Sequence, residues 1–243
     1  MGIDVKIAYA RKAGTSHLFQ NLPCQDYVTG FAGDETACIV LTDGAGSVAH
    51  SEQVAATVAE ALRDEFVTNF DRWYAAEEDA FIGDFIELCT AAVTDMNEEM
   101  IPACTVLLHA ASEDGRSITC HIGDGIIFGI DRECGASIIS EPENGEEPNE
   151  TFFVSGPCPQ KHLRVTRTED NLFTDIIMCS DGAAAPLWNK HTNTFASALT
   201  RLSCWMKEYP EENISQRLAE ELDESFREHT QDDMSIAIIH FVP

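Results

Sequence analysis

The sequence predicts an α+β protein in which antiparallel sheets carry helices on their outer faces. Apolar, β-branched runs come in groups joined by short glycine-containing turns, the pattern of antiparallel hairpins. Pairs of stretches with helical apolar spacing separate these groups, so the order is strands, two helices, strands, two helices, strand. Several of the apolar runs also stop on an aspartate followed by glycine.

Residues 5–10 read as the first strand, and 11–17 as a polar loop containing Gly14. Asp26 opens a second strand running toward Phe31. Gly33-Asp34-Glu35 turns it back into the run 37–43, which ends in Thr42-Asp43-Gly44. From Ser51 the period becomes helical, with Val54, Val58, Ala61, Leu62 and Phe66 on one side. A second helix is expected over 81–100, presenting Phe81, Phe85, Leu88, Ala92 and Met96. Strands follow at 104–111 and at 118–122, the second leading into Gly123-Asp124-Gly125. Two more are read at 126–130 and 136–140. Residues 141–160 hold four prolines and little periodicity and read as a long irregular loop, a length usually tied to function. The strands 163–168 and 175–180 come next, the latter ending in Ser180-Asp181-Gly182. Helices are expected over 191–207 and 212–227, and Asp232-Asp233 opens a last strand to Val242. No internal repeat or linker interrupts the chain, so 1–243 reads as one domain.

Composition narrows the partners. With 15 Lys+Arg against 42 Asp+Glu the net charge is −27, which disfavours nucleic acid and anionic membrane surfaces. No run reaches the ~18 apolar residues of a membrane span. The start, Met1-Gly2-Ile3-Asp4-Val5-Lys6, lacks the basic and apolar regions of a signal peptide. Nine scattered cysteines without a Cys-x-x-Cys pair suit a reducing cytoplasm.

Asp26, Asp43, Asp124, Asp181 and Asp232 are strand-end carboxylates from distant parts of the chain, and together they suggest one acidic site built on sheets. Hard oxygen donors without a His/Cys cluster point to Mg²⁺ or Mn²⁺ rather than zinc. Converging carboxylates need such cations to offset their repulsion. Two metals sharing a water can present it to a phosphoryl centre.

Thr42-Asp43-Gly44-Ala45-Gly46, Gly123-Asp124-Gly125, Ser180-Asp181-Gly182 and Asp232-Asp233-Met234-Ser235 occur in the order of the metal-dependent, protein phosphatase 2C-like family, which this chain resembles over nearly its whole length. Gly14-Thr15-Ser16-His17 followed by Pro23-Cys24-Gln25-Asp26 resembles a bacterial branch. The resemblance implies a four-layer α-β-β-α sandwich, two antiparallel sheets flanked by helix pairs. It implies a phosphatase for phosphorylated Ser/Thr proteins using two Mn²⁺ or Mg²⁺ and a bridging water. By residue, Asp43 bridges both metals, the Gly44 carbonyl faces one, and Asp181 and Asp232 hold the other. Asp26 orients water, and Asp124 serves a third, weaker metal.

Three departures stand out. The family's phosphate-binding arginine falls at Asn21, the histidine of eukaryotic members at Ala45, and a further aspartate at Ala185. Arg11, Lys12 and His17 are the candidate replacements for the arginine, and His17 is also a candidate catalytic group. Two rival motifs are weaker. Gly44-Ala45-Gly46-Ser47-Val48-Ala49 fits a relaxed dinucleotide fingerprint but lacks the βαβ unit. Cys158 and Arg164 have cysteine-phosphatase spacing but no glycine between them for a phosphate cradle. The sequence therefore reads as a cytoplasmic, monomeric, metal-dependent Ser/Thr phosphatase. The alternative is a catalytically weak binding protein of the same fold.

Overall fold

A computed structural model describes residues 3–96, 100–145 and 150–242. In chain order the elements are β1 (Val5–Lys12), α1 (Thr15–Gln20), β2 (Asp26–Ala32), β3 (Thr36–Asp43), α2 (Ser51–Thr68), α3 (Phe70–Ala75) and α4 (Glu78–Thr94). The central strands are β4 (Val106–Ser112), β5 (Ser117–Ile122), β6 (Ile126–Ile130), β7 (Ala136–Ser140), β8 (Arg164–Thr168) and β9 (Asp175–Cys179). The last third holds α5 (Asp181–Ala184), β10 (Trp188–Asn189), β11 (Thr194–Phe195), α6 (Ser197–Glu208), α7 (Glu211–Glu221) and β12 (Met234–Phe241). A π-helical turn, Leu222–Phe226, extends α7.

Ten strands form two five-stranded sheets, ordered β1-β12-β9-β6-β7 and β2-β3-β4-β5-β8, and every neighbouring pair is antiparallel. The central strands are apolar on both faces because both are covered. In β3, Ala37, Ile39 and Leu41 enter the layer between the sheets with Leu107, Met178 and Ile239. Cys38 and Val40 point the other way, into the layer under α2 and α4. In β12, Ala237 and Ile239 face the first layer, while Ile236 and Ile238 face α6 and α7. Three apolar layers therefore separate four layers of structure, the expected α-β-β-α sandwich.

The exposed edge of β1 is covered by α7. The Ile7 N–H donates to Glu211 Oε1 (2.7 Å) and the Tyr9 N–H to Ser215 Oγ (3.2 Å), which blocks pairing with another strand. At the far end of β9 the fully buried Asp175 accepts from Ser203 Oγ of α6 (2.7 Å), with His240 Nδ1 at 2.8 Å.

Four elements depart from expectation. The 11–17 loop contains a helix turn, α1, whose first residue follows Gly14. A short α3 carries Phe70 and Trp73 into the core, where Trp73 stacks on Phe66 at 4.8 Å. In α4 the buried stripe is Phe81, Phe85, Cys89 and Val93, a strict four-residue spacing, whereas Met96 is exposed. The described helix ends at Thr94, and part of the expected 81–100 helix, 97–99, lies outside the described residues. The 191–207 helix begins only at Ser197, because Trp188–Asn189 and Thr194–Phe195 pair as a small hairpin. Of the 141–160 loop, 146–149 lie outside the described residues; the rest is irregular apart from the Asn144–Thr151 bridge and the start of a 3₁₀ turn at Pro159.

Candidate active site

Both sheets deliver their aspartates to the same end. In one, Asp26 at the start of β2 is the direct cross-strand partner of Asp43 at the end of β3. In the other, the end of β9 lies beside the starts of β12 and β6, with Cys179 opposite both Ile236 and Ile126. Asp181 and Asp232 flank those strand ends. Two connections cross between the sheets here, 13–25 from β1 to β2 and 123–125 from β5 to β6, and the second carries Asp124.

Backbone packing fixes these positions. Thr105 brackets Asp43, its N–H donating to the Asp43 carbonyl (2.9 Å) and its Oγ1 accepting from the Asp43 N–H (3.1 Å). The Gly44 N–H donates to the Gln25 carbonyl at 3.1 Å. Gly182 must be glycine, since a Cβ there would lie 2.0 Å from the Asp233 carbonyl oxygen. Gly14 is equally constrained, its Cβ position falling 2.3 Å from the Asp232 carbonyl. The small residues of the Asp-Gly and Gly-Thr-Ser-His motifs thus let the segments carrying Asp181, Asp232 and His17 touch backbone to backbone.

Electrostatically the aspartates form one cluster. Asp26 is buried, and neither of its carboxylate oxygens has a hydrogen-bond partner among the described residues. Burial pushes its pKa up to about 7; nearby Ser235 and Ser180 hydroxyls pull it down, and the charges of Asp233 and Asp232 raise it further. Asp43 is raised well above the carboxylate range, first by burial and then by Asp26, Asp181, Asp124 and Asp232. Asp181 keeps an exposed edge but sits deep among protein atoms; desolvation, then Asp124, Asp232 and Asp26, lift it to about 7. Asp124 is raised by burial and by Asp232, partly offset by its own backbone and by Thr151. Thr151 comes from the 141–160 loop, which also returns to this end through Glu143 N–H donating to the Gly123 carbonyl (2.9 Å).

The donor chemistry fits hard divalent cations, and a buried carboxylate with two unpartnered oxygens is what such a site requires. Among the described residues, however, no group of three or more His, Cys, Asp or Glu side chains is placed so that it could hold a metal ion. The carboxylates are near neighbours at the rim of the sandwich.

The sequence missed Asp233. It is 3% exposed and accepts from the Gly14 N–H (2.7 Å) and the Gln25 N–H (2.5 Å), with His17 Nδ1 2.9 Å from each oxygen. One carboxylate thus ties α1 and the residue before Asp26 to the start of β12. The Asp232-Asp233 doublet held the signal: successive residues entering a strand face opposite sides, so the two cannot play the same part. The other cationic candidates are engaged. Arg11 donates to the Asp26 carbonyl (2.6 Å) and lies over the Tyr27 ring, and Lys12 pairs with Asp223 at 2.5 Å. Asn21 is the left-handed cap of α1. Arg164 donates to the Glu141 carbonyl (2.6 Å) and to His121 (3.0 Å), so the Cys158/Arg164 pair builds no phosphate cradle.

The molecule is thus a five-on-five antiparallel sandwich with helix pairs outside and a carboxylate cluster at one end. Within it, residues 13–223 match the protein phosphatase 2C family, and the chain belongs to that family. The match ends before Asp232 and Asp233. No curated protein matches the chain in sequence. Among solved structures the fold is similar to the serine/threonine phosphatase Stp1 from Staphylococcus aureus, with TM-score 0.67 and 14% identity over 100% of this chain and 97% of that one. A bacterial serine phosphatase gives 0.65 and 15%, covering 98% of each chain. RsbX, in complex with magnesium, gives 0.60 and 13%, covering 98% of this chain and 96% of that one. At these identities the likeness is one of fold. No helix among the described residues is long and apolar enough to cross a membrane.

Proposed function

We propose that this chain is an active Mn²⁺- or Mg²⁺-dependent phosphatase acting on phosphorylated Ser/Thr proteins. The observation that carries the reading is the gathering of Asp26, Asp43, Asp124, Asp181 and Asp232 at one end of both sheets, each of the first four with its pKa raised and the charge of Asp232 felt by all of them. Asp43, the Gly44 carbonyl, Asp181 and Asp232 would hold two ions, and Asp124 a weaker third. When bound, the ions supply positive charge for the phosphate dianion and acidify the attacking water.

The chain's own residues do the rest. Asp26, buried beside the Ser180 and Ser235 hydroxyls, accepts a hydrogen bond from the attacking water and orients it. His17 is held by Asp233 through Nδ1, which leaves Nε2 to contact the phosphate or to donate a proton to the departing serine or threonine oxygen. The nine cysteines are all free thiols, which suits a reducing, cytoplasmic setting, and we take the chain to act as a monomer.

One observation favours the second reading, a binding protein of low turnover: Arg11 and Lys12 are committed elsewhere, which leaves His17 as the remaining cationic candidate. Hydrolysis of p-nitrophenyl phosphate and of a phosphoserine peptide, each with and without Mn²⁺, separates the two. Metal-dependent turnover of both supports the enzyme. Absence of turnover with intact phosphopeptide binding supports the binding protein.

A further inference from the structure

Two serines at the end of one sheet meet the buried Asp26 of the other. Val28, Leu41, Met178 and Ala237 lie in the layer between the sheets. Side chains alternate along extended backbone, so three further residues enter that layer at the aspartate end: Asp26, two before Val28; Ser180, two after Met178; and Ser235, two before Ala237. None of the three is more than 1% exposed. Register sets the serines side by side, since Ile236 lies opposite Cys179 and Ser235 therefore opposite Ser180. The Ser180 N–H donates to the Ser235 carbonyl (3.1 Å), and the Ser235 N–H to Ser180 Oγ (3.0 Å). Backbone contacts bring Asp26 against them. Arg11, the cross-strand partner of Ser235, donates to the Asp26 carbonyl (2.6 Å), and the Gln25 N–H donates to Asp233 (2.5 Å), two residues from Ser235.

Ser235 Oγ and both Asp26 oxygens are buried without a bonded partner among the described residues, a spare donor and a spare acceptor on facing sheets. Ser180 Oγ accepts from the Ser235 N–H, which leaves its own proton to donate. Both hydroxyls favour the charged form of Asp26 against the burial that opposes it. The next residues inward, Val28, Met178 and Ala237, are apolar, and a hydroxyl buried beside them is costly unless it finds an acceptor. We propose that Ser180 and Ser235 are positioning residues for Asp26: their hydroxyls reach across the gap between the sheets and fix the direction of its carboxylate, turning an oxygen to the attacking water. The proposal rests on the phosphatase reading above and adds two residues to that site. Alcohols suit the task, because they hold a carboxylate without countering its charge as lysine or arginine would. Each hydroxyl has a single proton, so two of them occupy part of the carboxylate and leave lone pairs for water.

Two measurements test it. In melting curves of the full chain without added metal, Ser235→Ala should lower Tm by about 3 °C and should leave the Tm of Asp26→Ala unmoved, since the hydroxyl then has no carboxylate to lose. In p-nitrophenyl phosphate turnover with Mn²⁺, Ser235→Ala should lower kcat about tenfold with KM within about twofold of wild type, because the water is misdirected while the phosphate still binds. Ser235→Thr keeps the hydroxyl and should return kcat to within about twofold of wild type. Ser180→Ala should show the same split between kcat and KM, with a larger fall in Tm because it also strands the Ser235 N–H. An equal fall in Tm in the wild-type and Asp26→Ala backgrounds overturns the proposal. So does an unchanged kcat in Ser235→Ala, or a threonine variant that melts with the wild type without recovering kcat. A wild type that shows the coupling in Tm yet hydrolyses nothing sinks the phosphatase reading, while the hold of the serines on Asp26 stands.

Discussion

Replacing Asp233 with asparagine changes little volume but removes one acceptor from a crowded place. The native carboxylate meets donors on both oxygens: the Gly14 N–H and His17 on Oδ1, the Gln25 N–H and His17 on Oδ2. An asparagine has one oxygen and one NH₂, so its amide must face a donor on one side. That strands a buried N–H of Gly14 or Gln25, at about 1–3 kcal/mol, and the remaining bonds lose their charge assistance. The sum is about 3 kcal/mol. For a chain of this size each kcal/mol moves Tm by roughly 2–4 °C, so Asp233→Asn should melt about 10 °C below wild type by circular dichroism. His17→Ala removes one partner and leaves both backbone donors satisfied, so it should cost about 1 kcal/mol. Both variants should lose about 10²-fold in kcat/KM on a phosphoserine peptide and less on an aryl phosphate, whose leaving group needs no proton. An Asp233→Asn protein that melts with the wild type would refute the view of Asp233 as the knot between β12, α1 and Asp26.

Asp43→Ala should abolish metal-dependent hydrolysis with a near-native circular dichroism spectrum; retained turnover would remove Asp43 from the centre of the site. Saturating Mn²⁺ should raise Tm at pH 7.5, and raise it less at pH 5, where Asp26 and Asp181, both pushed up to about 7, hold protons that compete with metal; equal shifts at both pH values would argue against carboxylate ligation. Cys158→Ser should keep its phosphatase activity, and a trapped phosphocysteine would move the protein to another chemistry. Burial pushes the His109 imidazole down to about 4, against 6.5 when unfolded. The unfolded chain then binds more protons between those values, so stability falls as pH drops from about 6.5 to about 4, by up to ~3 kcal/mol. Denaturant titrations of His109→Gln should show a shallower slope in that window, and parallel curves would rule His109 out as the cause.

The aspartate framework was legible because each carboxylate stands at one end of an apolar run, opening it at Asp26 and Asp232 and following it at Asp43, Asp124 and Asp181, and a run buried on both faces leaves a continuous signal. Helix α1 was not, because it buries nothing. Its geometry comes from bonds to residues more than 200 positions away, which no local period records. The small hairpin Trp188–Asn189 with Thr194–Phe195 has strands of two residues, too short for alternation to show. In α4 the misjudged phase came from treating Leu88 and Ala92 as the core residues, when the smaller Cys89 and the β-branched Val93 fill the space under the sheet. Asp232 was legible as a strand-end acid, and Asp233 was hidden behind it.

The pairing of β1 with β12 has a consequence for how the molecule comes into being. Val5 lies opposite Phe241 and Lys12 opposite Met234, so β1, once made, waits for every other strand of the two sheets before its neighbour β12 follows. Contacts of such sequence separation slow folding. The first strand must spend that interval shielded from other unpaired edges. The same late segment brings Asp232 and Asp233, so a nascent or truncated chain can hold the β2–β3 half of the cluster but not the half that completes it. The carboxylate cluster would be complete only with the closing of the last strand, and a prematurely terminated product would lack part of it.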